Sequence, residues 1–386
     1  MKTYKHLIEY ALSDECMDKA LNNAIKRKTW RQEVQDLFAH KDEVKAQIRE
    51  DILNRRLKQI IHRGYRRLDG AMKKERIIVQ PYFTRTRPEQ WIQHIAIEAV
   101  RPIISKGFYF HSCGSVPQKG VHCGKKYLAK YIKKHQKDVR YCLKIDVRKF
   151  YQSINTDLLK YKLERIIKDD LMLYLLYWII DNNVAILDDG SVIAGGLPVG
   201  GYPSQYFANF FLQDFDHYLK EVVKVDFYMR YMDDIVILAR NKRELHSVLK
   251  TIREYLQGIG LELKSNYQVF KFHYINKRGE ESGRFIDFMG FKFYRNRTTI
   301  RKATFLRACR IARKIGRTKR LTLKRAYKII SYKGWFDSSD SFQAYEKYIL
   351  KYVSVRKCKE LISAESKRSN KNGSNLQNSA IKQKTA

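Results

Sequence analysis

Through the first sixty residues apolar side chains recur at helical spacing, Leu21, Ile25, Trp30, Val34 and Leu37, then Val44, Ile48, Ile52 and Leu53, among charged neighbours. That spacing predicts a basic helical arm over 1–60. The run Arg76-Ile77-Ile78-Val79-Gln80-Pro81 reads as a short strand stopped by proline. From Pro88, which suits a helix's first turn, Trp91, Ile92, Ile95, Ala96, Ala99 and Val100 mark a helix. The connection Cys113–Gly120 carries two glycines and a proline and leads to a helix from about Lys125. Its backbone N–H groups suit a phosphate, and a plain turn suits the same residues. Tyr141, Leu143 and Ile145 form a strand pattern that stops at Asp146, and two helical stretches follow from about Thr156. Asp189-Gly190 marks a hairpin between Ala185–Leu187 and Val192-Ile193, and a helix is expected from Ser204 to Glu221. A strand pattern then leads into Tyr231-Met232-Asp233-Asp234 through Val225, Phe227 and Met229, and out of it through Ile235, Val236, Ile237 and Leu238. The order of elements predicts an α+β fold with helices on one face of the sheet. Basic helices over 304–357 come next, and then a Ser-, Asn-, Gln- and Lys-rich tail over 361–386 with too little to bury to be ordered.

Charge narrows the class of partner. The 386 residues carry 77 Lys and Arg against 40 Asp and Glu, a formal net charge of +37, which calls for a polyanion. No apolar run of membrane-spanning length, lipidation signal or signal-peptide pattern is seen, so nucleic acid in a cytoplasm is favoured over a membrane surface. The six cysteines (Cys16, Cys113, Cys123, Cys142, Cys309 and Cys358) contain no C-x-x-C pair and read as reduced thiols.

The chemistry sits in the carboxylates. Asp233 and Asp234 at the tip of a hairpin cannot both be buried without a cation. A pair of Mg²⁺ ions would resolve that cost, and a solvated Asp-Asp turn would avoid it. Two-metal phosphoryl transfer needs carboxylates converging on both ions, and Asp146, at the end of its apolar strand, is the candidate third member. Its alternative is to cap the turn that follows.

Two segments settle the comparison. Asp146-Val147-Arg148-Lys149-Phe150-Tyr151 and Tyr231-Met232-Asp233-Asp234 resemble the first catalytic motif and the Tyr-x-Asp-Asp box of the reverse transcriptases. The resemblance implies a right-hand polymerase, with fingers and an antiparallel palm sheet over 61–300 and a helical thumb over 301–360. It implies two Mg²⁺ ions, with Mn²⁺ as an alternative, held by Asp146, Asp233 and the Val147 carbonyl with help from Asp234. Tyr151 would be the aromatic gate that excludes a ribose 2′-hydroxyl, and Lys74 and Arg76 would hold the incoming triphosphate. Gly196-Leu197-Pro198-Val199-Gly200-Gly201-Tyr202-Pro203-Ser204-Gln205 is similar to the segment that holds template and nucleotide, with Val199, Gly200 and Gln205 facing the nucleotide. Many relatives carry Gln where Val199 stands. That departure is similar to the enzymes of diversity-generating retroelements, bacterial or phage systems with a dedicated template RNA, an accessory protein and error-prone copying at adenines. Phage-defence reverse transcriptases, which use a structured noncoding RNA, share these motifs, and a non-catalytic maturase-like RNA binder is the alternative of a different class. Lys264 and Asn266 compete for the place of the base after the catalytic box. Ile286–Phe291 resembles the primer-grip hairpin, and Ser331–Trp335 would lie in the thumb. There Arg307, Arg310, Arg313, Lys314 and Arg317 would track a template–cDNA backbone, as a charged helix face can.

Overall fold

The computed structural model describes residues 2–69 and 74–367. The chain forms two compact units, one of Met1–Gly120, Leu143–Ile237 and Arg243–Val269, the other of Val121–Cys142, Leu238–Lys242 and Phe270–Ala386. This division differs from the expected linear order of arm, palm and thumb.

The N-terminal helices are part of the first unit rather than a separate arm. In the helix Asp14–Ile25, capped by the Ser13 hydroxyl on the Cys16 N–H, the residues Cys16, Met17, Ala20, Leu21 and Ala24 fall on one face and are buried. That face packs on the helix Glu89–Ile104, where the fully buried Trp91 donates its indole N–H to the Met17 carbonyl at 2.8 Å. Val34, Leu37, Val44, Ile48 and Ile52 are buried as the spacing predicts, but Trp30 is 74% exposed. The helix ends at Ile25, and the turn that follows, with Arg27 at positive φ, carries Trp30 away from the apolar face.

Two four-stranded sheets shape this unit. In one, His62–Asp69 pairs antiparallel with Lys74–Val79 and parallel with Ala185–Leu187, which pairs antiparallel with Val192–Ile193. The other runs in the order Phe227–Tyr231, Asp234–Ala239, Tyr141–Asp146, Gln268–Lys271. Its hairpin strands are apolar on both faces, with Phe227, Tyr228, Met229, Ile235, Val236 and Ile237 all buried, as a sheet covered on both sides requires. The helix expected over 204–221 breaks at Leu212 into Ser204–Phe211 and Gln213–His217 and closes in a wide turn, Tyr218–Val222. Helices and mostly antiparallel strands mix along the chain, the α+β class expected from the sequence.

In the second unit a helix, Val121–Lys134, starts four residues before the predicted point. The antiparallel strands Ile286–Phe288, Phe291–Phe293 and Thr298–Ile300 form a small sheet. At the tip of its first hairpin Gly290 has φ +85°, and a Cβ there would lie 2.6 Å from the Trp335 ring. Glycine is therefore needed for space as well as conformation. The helices Lys302–Thr318 and Leu323–Asp337 follow. Residues 355–367 form one more helix, so the first seven residues of the expected tail are helical. Cys358 on that helix is buried, an anchor that a reading from composition overlooks. The rest of the tail, 368–386, lies outside the described residues. Among the described residues no helix is long and apolar enough to cross a membrane.

Candidate active site

The three aspartates sit at strand ends that lie side by side in one sheet. Asp146 closes the strand Tyr141–Asp146, Asp234 opens the neighbouring strand, and Asp233 lies in the turn between Tyr231 and Asp234. The Val147 N–H donates to the Asp233 carbonyl at 3.2 Å, which fixes the two aspartates side by side. All three carboxylates are partly accessible rather than buried.

A cation already occupies part of this site. The Lys264 ammonium pairs with Asp146 Oδ1, while the Lys264 N–H donates to the Asp146 carbonyl at 2.9 Å. Lys264 is therefore the residue after the catalytic box that reaches the carboxylates, and Asn266 is exposed. Among the described residues no group of three or more His, Cys, Asp or Glu is arranged to hold a metal ion by itself. Mg²⁺ seldom needs such a cage, because it is usually held by one or two carboxylates with water and substrate phosphates completing its shell. Hard carboxylate oxygens, one of them already countered by an ammonium, fit that requirement.

The turn holding Asp233 is braced from beneath by a buried network that sequence reading did not anticipate. Arg230, 1% exposed, donates to both carboxylate oxygens of the fully buried Asp216, at 2.7 and 2.6 Å. Its remaining N–H groups reach Asn209 Oδ1 at 3.1 Å and the Met232 carbonyl at 3.2 Å. Tyr228 donates to Asp216 at 2.6 Å. Burial first, and then the Asp216 charge, push this phenol well up, so it remains a donor. Asn209 in turn donates to the Gly114 carbonyl at 2.8 Å. Gly114 lies so close that a Cβ would come 2.8 Å from the Met232 N, and Met232 itself has φ 58°. The Cys113 N–H donates to the Arg230 carbonyl at 3.0 Å. The loop Cys113–Gly120, read as either a phosphate loop or a plain turn, thus serves as the backstop of the catalytic turn. The one sequence signal was weak, a charged Arg230 within the otherwise uncharged strand Phe227–Tyr231 that leads into the turn.

The glycine-rich segment forms a wall. The Leu197 N–H donates to the Tyr151 carbonyl at 2.7 Å, and the Val199 carbonyl accepts from the Val79 N–H at 2.8 Å. A Cβ on Gly196 would lie 2.4 Å from the Tyr151 carbonyl, and one on Gly200 only 2.2 Å from the Val79 carbonyl. Both glycines have positive φ, +62° and +130°, so neither position admits another residue without displacement. Val199 is half-buried, and Gln205 is exposed at the start of the helix Ser204–Phe211. Tyr151 lies in the short helix Phe150–Ser153, and Phe150 is buried in the core. Burial raises the Tyr151 phenol, the nearby Asp233 charge raises it further, and Arg76 opposes them. Arg76 is exposed on the strand Lys74–Val79; Lys74 begins that strand, and its side chain lies outside the described structure.

Arg310, Arg313, Lys314 and Arg317 form the exposed face of the helix Lys302–Thr318, opposite the buried Ala308, Cys309, Ala312 and Ile315, while Arg307 is half-buried. They belong to the second unit.

Adjacent aspartates at a sheet end, and a glycine-built wall held against Tyr151 and Val79, are arranged as the palm of a template-dependent polymerase would need. The sequence profile described as reverse transcriptase (RNA-dependent DNA polymerase) matches residues 73–293. That is more than half of the chain, and the chain belongs to the reverse transcriptase family. No curated protein matches it in sequence. Solved structures similar to it include apo telomerase from Candida tropicalis truncated from its C-terminal domain, at 15% identity and a TM-score of 0.46, covering 64% of this chain and 56% of that one. Telomerase from Candida albicans in complex with a TWJ fragment of telomeric RNA is similar at 12% identity and a TM-score of 0.45, covering 64% of this chain and 46% of that one. The chain spans about half the length of these telomerase structures.

Proposed function

We propose that the chain is an active RNA-directed DNA polymerase that makes cDNA on an RNA template. The observation that carries this reading is the Val147 N–H bond to the Asp233 carbonyl, which sets the backbones of two separate motifs side by side. In the reaction the primer 3′ oxygen bonds to the α-phosphorus of a dNTP, the α–β bridging bond breaks, and pyrophosphate leaves. Mg²⁺, or Mn²⁺ in its place, supplies activation of the attacking hydroxyl and neutralisation of the leaving pyrophosphate when bound. Asp146, Asp233 and the Val147 carbonyl would hold the ions, with Asp234 assisting. Lys74 and Arg76 counter the triphosphate charge. Tyr151 presents a neutral ring beside Asp233, and the pinned wall from Gly196 to Gly200 supports the nascent pair, so catalysis comes mainly from positioning. Extension of oligo(dT) on poly(rA) tests the activity, and absence of any product under Mg²⁺ or Mn²⁺ overturns it.

The thumb reading makes a separate prediction. If the Arg310–Arg317 face contacts six to ten phosphates, primer-template affinity falls about 10³- to 10⁵-fold between about 50 and 200 mM salt. Filter binding across that range measures the slope, and a flat response removes the thumb assignment.

Within this activity we place the enzyme in a bacterial or phage retroelement of the diversity-generating type, working in the cytoplasm with a dedicated template RNA and an accessory protein. Val199 supports this reading. Because its carbonyl is held by Val79, Val199→Gln changes the side chain on the wall with little movement of the wall itself. Sequencing of cDNA is expected to show fewer errors opposite template adenines in this variant. An unchanged error spectrum detaches Val199 from fidelity.

A further inference from the structure

We infer that the turn Lys26–Arg31 is a stacking platform for single-stranded RNA, the stretch of template not yet copied; the assignment of that strand rests on the polymerase reading above. Trp30 is 74% exposed, the most open of the large apolar side chains among the described residues. Its ring is held in place, because the indole N–H donates to the Arg27 carbonyl at 3.2 Å and the Arg31 guanidinium lies 5.5 Å from the ring. A fixed, solvent-facing indole among cations is what base stacking on a polyanion requires. Lys26 and Arg27 are exposed beside it, while Arg31 is partly countered by Glu33 at 3.7 Å.

The platform also connects to the nucleotide wall within the same unit. Lys28 donates to Gln90 at 2.6 Å and lies 5.1 Å from the Phe83 ring. Gln90 donates to the Pro81 carbonyl at 2.7 Å, two residues beyond Val79, which binds the wall at Val199. On the wall itself, the His94 ring stacks on Tyr202 at 3.9 Å. Burial, with the charges of Lys28 and Lys26, lowers this imidazole to about 4, so the link is an uncharged stack at neutral pH. Arg87 over the Tyr82 ring at 4.8 Å adds another cation on an aromatic face. The turn that carries Trp30 is therefore joined through Lys28, Gln90 and the Val79 segment to the wall at Val199. The nearby cation Arg85 is already paired with Glu43 and is left out of the proposal.

The test compares a fluorescein-labelled single-stranded 12-nucleotide RNA with a blunt RNA–DNA duplex, using anisotropy on the full chain and on its Trp30→Ala and Trp30→Phe variants, with circular dichroism as the check on folding. Trp30→Ala is expected to weaken single-strand binding about fivefold to 100-fold, the range supplied by a base–aromatic stack. Duplex affinity should hardly change, and Trp30→Phe should recover most of the loss. Unchanged single-strand affinity in folded Trp30→Ala, or an equal loss on blunt duplex, overturns the platform. So does a shift from dimer to monomer in sedimentation with RNA affinity intact, which would make the turn a contact between copies. The outcomes separate from those for catalysis. A chain that extends no primer but loses single-strand binding with Trp30→Ala keeps the platform and loses the polymerase. A chain that extends primers and is indifferent to Trp30→Ala does the reverse.

Discussion

Asp233→Asn combined with Asp234→Asn is expected to abolish metal-dependent dTTP incorporation on poly(rA) while leaving RNA binding largely intact. The substitution keeps side-chain shape and removes two negative charges from the end of the sheet. Removing a single preorganised hydrogen-bond donor from an active site already costs about 10²- to 10³-fold, so loss of two carboxylates proposed to hold the ions is expected to exceed roughly 10³-fold. Asp146→Ala should behave alike, since Asp146 lies beside Asp233 through the Val147 bond. Primer extension measures the loss, and titration with Mn²⁺ followed by electron paramagnetic resonance gives an independent readout of ion binding. Retained synthesis in the double variant would defeat the assignment of these aspartates.

The second large effect is expected at Arg230. Arg230→Ala leaves the fully buried Asp216 with the Tyr228 hydroxyl as its donor and takes a donor from the Met232 carbonyl. Stranding one half of a buried ion pair costs about 3–5 kcal/mol, which a shift in urea midpoint at constant slope would report. Arg230→Met with Asp216→Leu separates two effects. Replacing a buried pair by apolar groups is often neutral or stabilising, so stability should largely return. Activity should not return with it, because the Met232 carbonyl and Asn209 still lack the guanidinium that sets the turn. If Arg230→Ala unfolds within about 1 kcal/mol of the parent, the range of an ordinary substitution, the network is not the brace it is taken to be.

Where the chain could be read correctly from sequence, local pattern and final environment agreed. The strands around Asp233 are runs of apolar residues bounded by a polar turn, and the wall segment is marked by its glycines. Long-range partners left weaker traces. Nothing in the vicinity of Asp216 says that its charge will be met by Arg230, because the helix and strand that carry them come together only in the folded chain. The loop Cys113–Gly120 offered two local readings, and a third, packing against Met232, was selected by tertiary contact. Trp30 failed in the other direction. Helical spacing placed it inside, but the helix stops five residues earlier, and periodicity carries no information past a helix end. The helical start of the tail was hidden similarly, since composition averages over the few apolar residues that anchor it.

The wall beside the catalytic turn is fastened at two points, Leu197 to Tyr151 and Val199 to Val79, with no room for a side chain at Gly196 or Gly200. Backbone and side chain at this wall are thus under separate control. Selection can exchange the residue at 199 as one would change a tile without moving the course it is set in. On the reading proposed here, copying accuracy becomes a trait that a lineage can loosen or tighten by one substitution, while the machinery that joins nucleotides stays as it was.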